Sequence, residues 1–220
     1  MNLKGGGPEK FGAFRSFLYQ HVAAPSLAPL HRRIASEIPI RSGRLLDAGC
    51  GPGSLDRMVA AERPGLAIVG IDKSEAMVRR AAPGASRAGL TNLEFRRGAV
   101  ESLSLREEFD SALSVLSFHH WEEPETGLES VHRALKPGGR FWIYEGDPEA
   151  SREDLRRDQR PLFGWLRLPE RLVRKGLRGH GFTAAEADRI VRPVVARTSF
   201  RTCEISRSGS LLRIAMARQS

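Results

Sequence analysis

An acid followed by spaced glycines is the stretch of this chain best fitted for chemistry. Leu45-Leu46-Asp47-Ala48-Gly49-Cys50-Gly51-Pro52-Gly53-Ser54 sets a carboxylate two residues ahead of a G-x-G-x-G run. Glycines at that spacing let the backbone pass close to a bound molecule, because no Cβ blocks the approach. The apolar stretch from Leu55 to Ala61 reads as a helix, whose unpaired N–H groups would open on the same spot. A dinucleotide loop reads G-x-G-x-x-G and turns its helix N-terminus toward a pyrophosphate. Asp47 would repel that group and would suit a ligand with a cationic end, such as an α-amino group. Asp72 ends an apolar run 19 residues beyond Gly53, where an acid can accept hydrogen bonds from two ribose hydroxyls. The adjacent imidazoles His119 and His120 are candidate bases, since a neutral histidine can take a proton near pH 7. The other reading of His119-His120-Trp121 is a structural corner that caps the next helix.

These groups need a scaffold, and the pattern supplies an α/β one. Strands are expected at Arg44–Asp47, Leu66–Ile71, Leu93–Arg96, Phe109–Leu116 and Arg140–Tyr144. Helices are expected between them: Leu55–Ala61, then Ser74–Ala82 with Ser74 as N-cap, then Pro124–Leu135 stopped by Lys136-Pro137-Gly138-Gly139. The alternation means βαβ units in a doubly wound, mostly parallel Rossmann-like sheet with helices on both faces. Right-handed crossovers then bring every strand's carboxyl end to one edge, where ligands bind. Residues 1–38 are expected to form an N-terminal helical cap and 39–220 the ligand-binding domain. Within the latter, 151–180 reads as a variable cap or lid. The tail, Val194–Ile205, a Ser208-Gly209 turn and Leu211–Ala217, is expected to close the sheet as an antiparallel hairpin.

Composition narrows the class. The chain has 220 residues, 40% of them hydrophobic, which supports one domain with a real core. No stretch approaches the roughly 20 apolar residues of a membrane span. The first residues lack the apolar core of a secretory signal, and two cysteines, Cys50 and Cys203, are too few for a disulfide framework. A soluble cytoplasmic protein is the expectation. The net charge of +9 lies wholly in the last third: residues 1–150 hold 19 Lys+Arg against 19 Asp+Glu, and residues 151–220 hold 16 against 7. A basic surface of that kind would suit an anionic partner such as RNA or an acidic lipid headgroup. A solvated, Arg-rich surface explains it equally and is the reading we favour.

The motifs together resemble a class I S-adenosylmethionine (SAM)-dependent methyltransferase, of the branch that includes the ubiquinone/menaquinone-biosynthesis methyltransferases. The resemblance rests on Leu45–Gly53, on Val69-Gly70-Ile71-Asp72-Lys73-Ser74-Glu75-Ala76-Met77, on Phe109-Asp110 through His119-His120-Trp121, and on Arg133-Ala134-Leu135-Lys136-Pro137-Gly138-Gly139. It implies SAM as cofactor and S-adenosylhomocysteine (SAH) as product. Asp47 would then sit near the methionine amino group, and Gly49, Cys50, Gly51, Pro52 and Gly53 would form the floor beneath it. Asp72 would hold the ribose, with Lys73 and Met77 beside the adenine, and Ser114, at the exit of the fourth strand, would line the methionine through its backbone. The family often reads Gly-Asp-Ala at the third-strand exit. This chain has Gly98-Ala99-Val100, so the adenine would rely on backbone at Ala99 and Val100, or on Glu101. The resemblance also suggests that an N-terminal helix carrying Arg15 and Tyr19 closes over SAM and the acceptor.

Methyl transfer is an in-line displacement on an already activated sulfonium, so the protein mainly positions and desolvates. It needs no metal, and no spaced His/Cys/Asp cluster in the sequence suggests one. Glu145 and Asp147, after the fifth strand, are candidates to face the acceptor together with His120, and Phe163 and Trp165 could line an apolar pocket. The expected acceptor is a small molecule, quinone-like or lipid-like. No Asn-Pro-Pro-Tyr-like run follows the fourth strand, and neither cysteine is placed for cytosine chemistry. Rival readings are an RNA or protein methyltransferase guided by the basic third, an NAD-dependent oxidoreductase, which the glycine spacing opposes, and a SAM-binding module without catalysis.

Overall fold

The computed structural model describes residues 27–159 and 169–219. Arg15, Tyr19, Phe163 and Trp165, and most of the expected N-terminal cap, lie outside the described residues. In chain order the elements are α1 (Ala28–Glu37), β1 (Gly43–Ala48), α2 (Ser54–Glu62), β2 (Leu66–Asp72), α3 (Glu75–Arg87), β3 (Leu93–Arg97), β4 (Phe109–Val115), α4 (Pro124–Ala134) and β5 (Leu135–Gly146). They continue with α5 (Arg152–Arg157), α6 (Glu170–Gly179), a helical segment α7 over residues 184–196 with a π-turn in its middle, β6 (Glu204–Ser208) and β7 (Leu211–Ala217). Short 3-10 turns at Val100–Ser102 and Phe118–His120 follow β3 and β4.

The seven strands form one sheet in the order β3-β2-β1-β4-β5-β7-β6. β1 to β5 pair in parallel, and β7 runs antiparallel to both β5 and β6. The strand order reverses between β1 and β4, which pair directly, and a doubly wound sheet binds its ligand at that switch point. Leu45, Leu46, Ile68, Val69, Ala112, Leu113, Phe141 and Ile143 are buried, as central strands covered on both faces require. One core packs α4 and α7 against the sheet around Phe118, Trp121, Phe141, Phe182 and Val195. The other packs α1 and α2 around Ile34, Leu45, Val59, Leu66 and Tyr144.

The tail differs from its expectation. Val194–Ile205 does not form one strand: Arg192–Ala196 is helical and β6 begins only at Glu204. Val191, Val194 and Val195 recur at helical spacing and are buried together, so burial overrides the strand preference of β-branched residues. Ser74 stands at the N-cap of α3 but its side chain makes no capping bond; Asp72 Oδ1 accepts from the Ser74 N–H at 2.8 Å instead. The polar segment after Ser151 is tied down at its end. Asp158 is buried and receives Arg33 Nε at 2.9 Å, Arg33 Nη2 at 2.7 Å and the Ser210 N–H at 2.7 Å.

Much of the basic charge of the last third is internally matched. Arg152 and Arg174 meet Glu170, Arg157 meets Glu153, Arg192 meets Asp188, Arg197 meets Glu125, Arg207 meets Asp147, and Arg218 meets Glu107. Arginines held this way present a weaker field to an anionic partner than the net charge suggests. No helix among the described residues is long and apolar enough to cross a membrane.

Candidate functional site

The glycine run leaves β1 and is pinned to β2. The Gly49 and Cys50 N–H groups both donate to Ile71 O, at 2.8 and 3.0 Å, and the Gly51 N–H donates to Asp72 Oδ2 at 2.9 Å. Gly49, Gly51 and Gly53 all have positive φ, and Gly53 occupies the N-cap of α2. Asp72 spends one lone pair of each oxygen on the loop, on Gly51 and Ser74. A carboxylate oxygen has a second lone pair, so both remain competent for a diol. The Gly98 N–H donates to Asp72 O at 3.1 Å and brings the β3 exit, with Ala99 and Val100, beside that acid.

Asp47 lies at the floor, 2% exposed, with Oδ1 lacking a partner. Its carboxyl is held well above the usual range by burial first, then by Asp56 and Asp72. Asp56 was not singled out by sequence reasoning. It is buried on the inward face of α2 beside Leu55, Val59 and Ala60, its Oδ2 likewise lacks a partner, and it is itself pushed up to about 6 by burial. An acid on the apolar stripe of a helix was the available signal. Two buried carboxyls in contact favour keeping a proton, and an unpartnered oxygen beside a glycine loop fits an ammonium. The residues present therefore fit the amino-acid end of SAM.

This arrangement sets a pH dependence. In the ligand-free protein the raised carboxyls contribute stability that is fully present at acid pH. It is lost as pH climbs from about 4, where an unfolded Asp ionises, through the folded value near 6 at Asp56. An ammonium ligand reverses the preference for the neutral acid. SAH affinity should rise with pH between 5 and 7, by up to about tenfold per unit, with protons released to the buffer. Calorimetry in two buffers of different ionisation enthalpy measures this; pH-independent affinity without proton release would count against it.

The other SAM-site candidates divide. Ser114 is fully buried within β4, its hydroxyl lacking a partner. Cys50 is buried and its thiol is pushed up by burial first, so it packs rather than reacts. Pro52 O accepts from Arg57 at 2.7 Å, and Met77 sits in the first turn of α3. Lys73 turns toward the β4 loop, with Nζ 3.5 Å from His120 O and 3.4 Å from Glu122. Glu101 Oε1 accepts from the Glu122 N–H at 3.0 Å, which closes the β3 exit against the same loop.

The β4 loop carries the second half of the site. Leu116 has φ +50, a left-handed conformation that a leucine rarely adopts, and its N–H is tied to Tyr144 O at 2.8 Å. The strained turn delivers Ser117 against Gly49 and then His119 and His120. His119 is buried, with Nδ1 2.7 Å from Glu145 Oε2, and its N–H donates to Glu145 Oε1 at 3.3 Å. His120 is exposed; burial of part of its ring, then His119, His180 and Lys73, lower its pKa to about 4.

Glu145 and Asp147, the candidates to face the acceptor, are turned inward onto other side chains. Both are 0% exposed: Glu145 is turned onto His119, and Asp147 accepts from the Glu149 N–H at 2.8 Å and Arg207 Nε at 2.9 Å. The fold also brings together side chains that no spacing in the sequence had grouped. His180, at the end of α6, comes within 3.1 Å of His119 from 61 residues away. That distance in sequence is why no local motif revealed it.

Residues 46–143 match a family model described as a methyltransferase domain. A ubiquinone biosynthesis O-methyltransferase of Maricaulis maris is 34% identical over 111 residues, 50% of this chain and 42% of that protein. An uncharacterized methyltransferase, YdaC of Bacillus subtilis, is 32% identical over 104 residues, 47% of this chain and 56% of that one. The chain thus spans about half the length of the curated relatives it matches. A SAM-dependent methyltransferase from Aquifex aeolicus superposes with a TM-score of 0.66 at 18% identity, over 95% of this chain and 100% of that one. The plantazolicin methyltransferase BpumL, solved with SAH, superposes with a TM-score of 0.71 at 14% identity, over 96% and 92%. At those identities the superpositions speak for the fold, while the matched domain covers the glycine loop, Asp72 and the β4 histidines. Residues 46–143 thus carry a methyltransferase domain, on a fold that these SAM-dependent and SAH-binding methyltransferases share.

Proposed function

We propose that the chain transfers the methyl group of SAM to a hydroxyl of a small-molecule acceptor, with an acceptor of the quinone-precursor type as first choice. The observation that carries this reading is the buried, unpartnered Asp47 Oδ1 beneath the G-x-G-x-G loop, with Asp72 across from it. Bound SAM would supply an activated methyl group. Asp47 would hold its ammonium, the glycine loop would admit its methionine portion, Asp72 would take the ribose hydroxyls, and backbone at Ala99 and Val100 would border the adenine. The choice of acceptor draws on relatives named for ubiquinone O-methylation, which match over 111 and 109 residues.

The acceptor would enter beside the β4 loop, where His120 and His180 are exposed and His119 lies behind them. Imidazoles there would receive or relay the proton that an acceptor hydroxyl must lose. Glu145, locked on His119 Nδ1, would act as a positioning residue by fixing that ring's tautomer. Arg15 and Tyr19 would belong to the side that closes over the acceptor.

The test has two stages. Calorimetry with SAM, SAH and NAD should show binding of SAM and SAH and none of NAD. A panel of phenols, catechols and other hydroxylated acceptors is then screened for SAH release. Absence of SAM and SAH binding would overturn the reading, and SAH release only with RNA or protein substrates would replace the acceptor.

A further inference from the structure

The β4 loop and the end of α6 bring together a cluster that methyl transfer does not require. His119, His120 and His180 each offer a ring nitrogen, and these atoms all lie within 4.8 Å of one another. His119 Nε2 and His180 Nδ1 are 3.1 Å apart. Two imidazole nitrogens on one tetrahedral Zn²⁺, at Zn–N of about 2.0–2.1 Å, stand roughly 3.4 Å apart. The pair is already close to that spacing, and the ring of His120 lies beside it, its centroid 3.9 Å from that of His119.

The surroundings are those of a built site. Glu145 is 0% exposed and its Oε2 lies 2.7 Å from His119 Nδ1. With that nitrogen carrying the proton, the lone pair of Nε2 is aimed at His180. Metal-binding histidines are commonly held in this way by a carboxylate on the far nitrogen. His180 is positioned with similar care. The Gly146 N–H donates to His180 O at 3.0 Å and the Phe182 N–H donates to Gly146 O at 2.9 Å, which seats the end of α6 on the end of β5. A Cβ at Gly181 would fall 1.9 Å from Gly146 O, so only glycine lets the two backbones approach this closely.

We propose that His119, His120 and His180 form a three-imidazole site for a first-row divalent cation of the Zn²⁺ type, with Glu145 orienting His119. Three nitrogen ligands favour such an ion over Mg²⁺ or Ca²⁺, which take oxygen. The fourth tetrahedral position is left for water or for an acceptor hydroxyl, whose proton passes to solvent as its oxygen binds; with the ion in place this route replaces proton transfer to the imidazoles, whose lone pairs are then on the metal. The role in acceptor binding rests on the methyltransferase reading; the ion site does not.

The untagged chain, stripped with a chelator, is titrated with Zn²⁺ alone and with Co²⁺ alone. One ion per chain is expected, with Co²⁺ giving the intense visible bands of a four-coordinate centre. His180→Ala and His120→Ala, both at exposed positions, should each weaken Zn²⁺ binding at least about 30-fold, and Glu145→Gln about 10- to 100-fold. His132→Ala, away from the cluster, should change nothing. Thermal melts of the metal-free variants verify folding, and His180→Gln serves if the alanine variant melts early. Binding of Zn²⁺ by His180→Ala as by the parent, or a six-coordinate Co²⁺ spectrum, would overturn the site. SAM calorimetry on the stripped protein separates the two readings. SAM binding without Zn²⁺ binding removes only the metal site, and Zn²⁺ binding that needs His180 without SAM binding sustains it while removing the methyltransferase reading.

Discussion

Gly49→Ala is expected to destabilise the protein by roughly 2–5 kcal/mol and to eliminate stabilisation by SAH, because strain and overpacking combine at that position. Gly49 has φ +96, and a Cβ there would meet Ser117 Oγ at 1.8 Å and Ser117 Cβ at 2.6 Å. Ser117 cannot step aside cheaply, since Leu116 before it is already left-handed at φ +50 and Phe118 after it is buried in the core. The clash would push the β1 loop and the β4 loop apart, which are the two walls of the proposed site. Gly51→Ala makes the informative contrast. Gly51 has φ +53, and a Cβ there would meet no atom within 4 Å, so the cost is the left-handed conformation alone, about 1–2 kcal/mol. That variant should stay folded, yet its methyl group stands in the open space that the loop shares with Asp72, and SAH affinity should fall more than about tenfold. Urea unfolding and SAH-induced thermal shifts measure both variants. A Gly49→Ala protein that melts like the parent and is still stabilised by SAH would refute the packing argument.

The legible parts of this protein are those written in a short stretch of chain. Leu45–Asp47 and Leu66–Asp72 are apolar runs ended by an acid, and both emerge as buried parallel strands whose acids share one end. Parallel order follows from the alternation of elements, because a βαβ crossover leaves little choice. The tail was harder for a physical reason. Val194 and Val195 have strand-like chemistry, but Val191 and Val195 reach 0% exposure by standing on one helical face above α4. Local preference and tertiary burial disagreed, and burial prevailed. Glu145 shows a subtler failure. An acid after Phe141–Tyr144 suggests an exposed ligand-edge carboxylate, but β5 continues through Glu145, which pairs with Leu212, and His119 covers it. His180 had no local signal, because its value depends wholly on α6 ending against β5.

Asp47→Asn should move binding and stability in opposite directions, and that opposition identifies what the acid is for. Asparagine keeps the shape of the side chain and removes its ionisation. In the ligand-free protein the buried Asp47 carboxylate is disfavoured by desolvation and by the charges of Asp56 and Asp72, so at pH 8 the variant should be at least as stable as the parent. Its advantage should shrink toward pH 4, where the parent's carboxyl is protonated as well. Binding should suffer, because an ammonium would lose a charged partner in a buried setting. A charge-assisted hydrogen bond of about 1.5–3 kcal/mol corresponds to a roughly 10- to 100-fold weaker Kd for SAM and SAH. Asp56→Asn separates direct contact from field effects: it removes the neighbour that helps keep Asp47 protonated while leaving the unpartnered Asp47 Oδ1 in place. SAH should therefore bind Asp56→Asn more tightly than it binds Asp47→Asn. A purely structural Asp47 would show the reverse pattern, a less stable asparagine variant whose SAH affinity stays within about threefold of the parent, and chemical denaturation at pH 8 beside SAH calorimetry decides between the two.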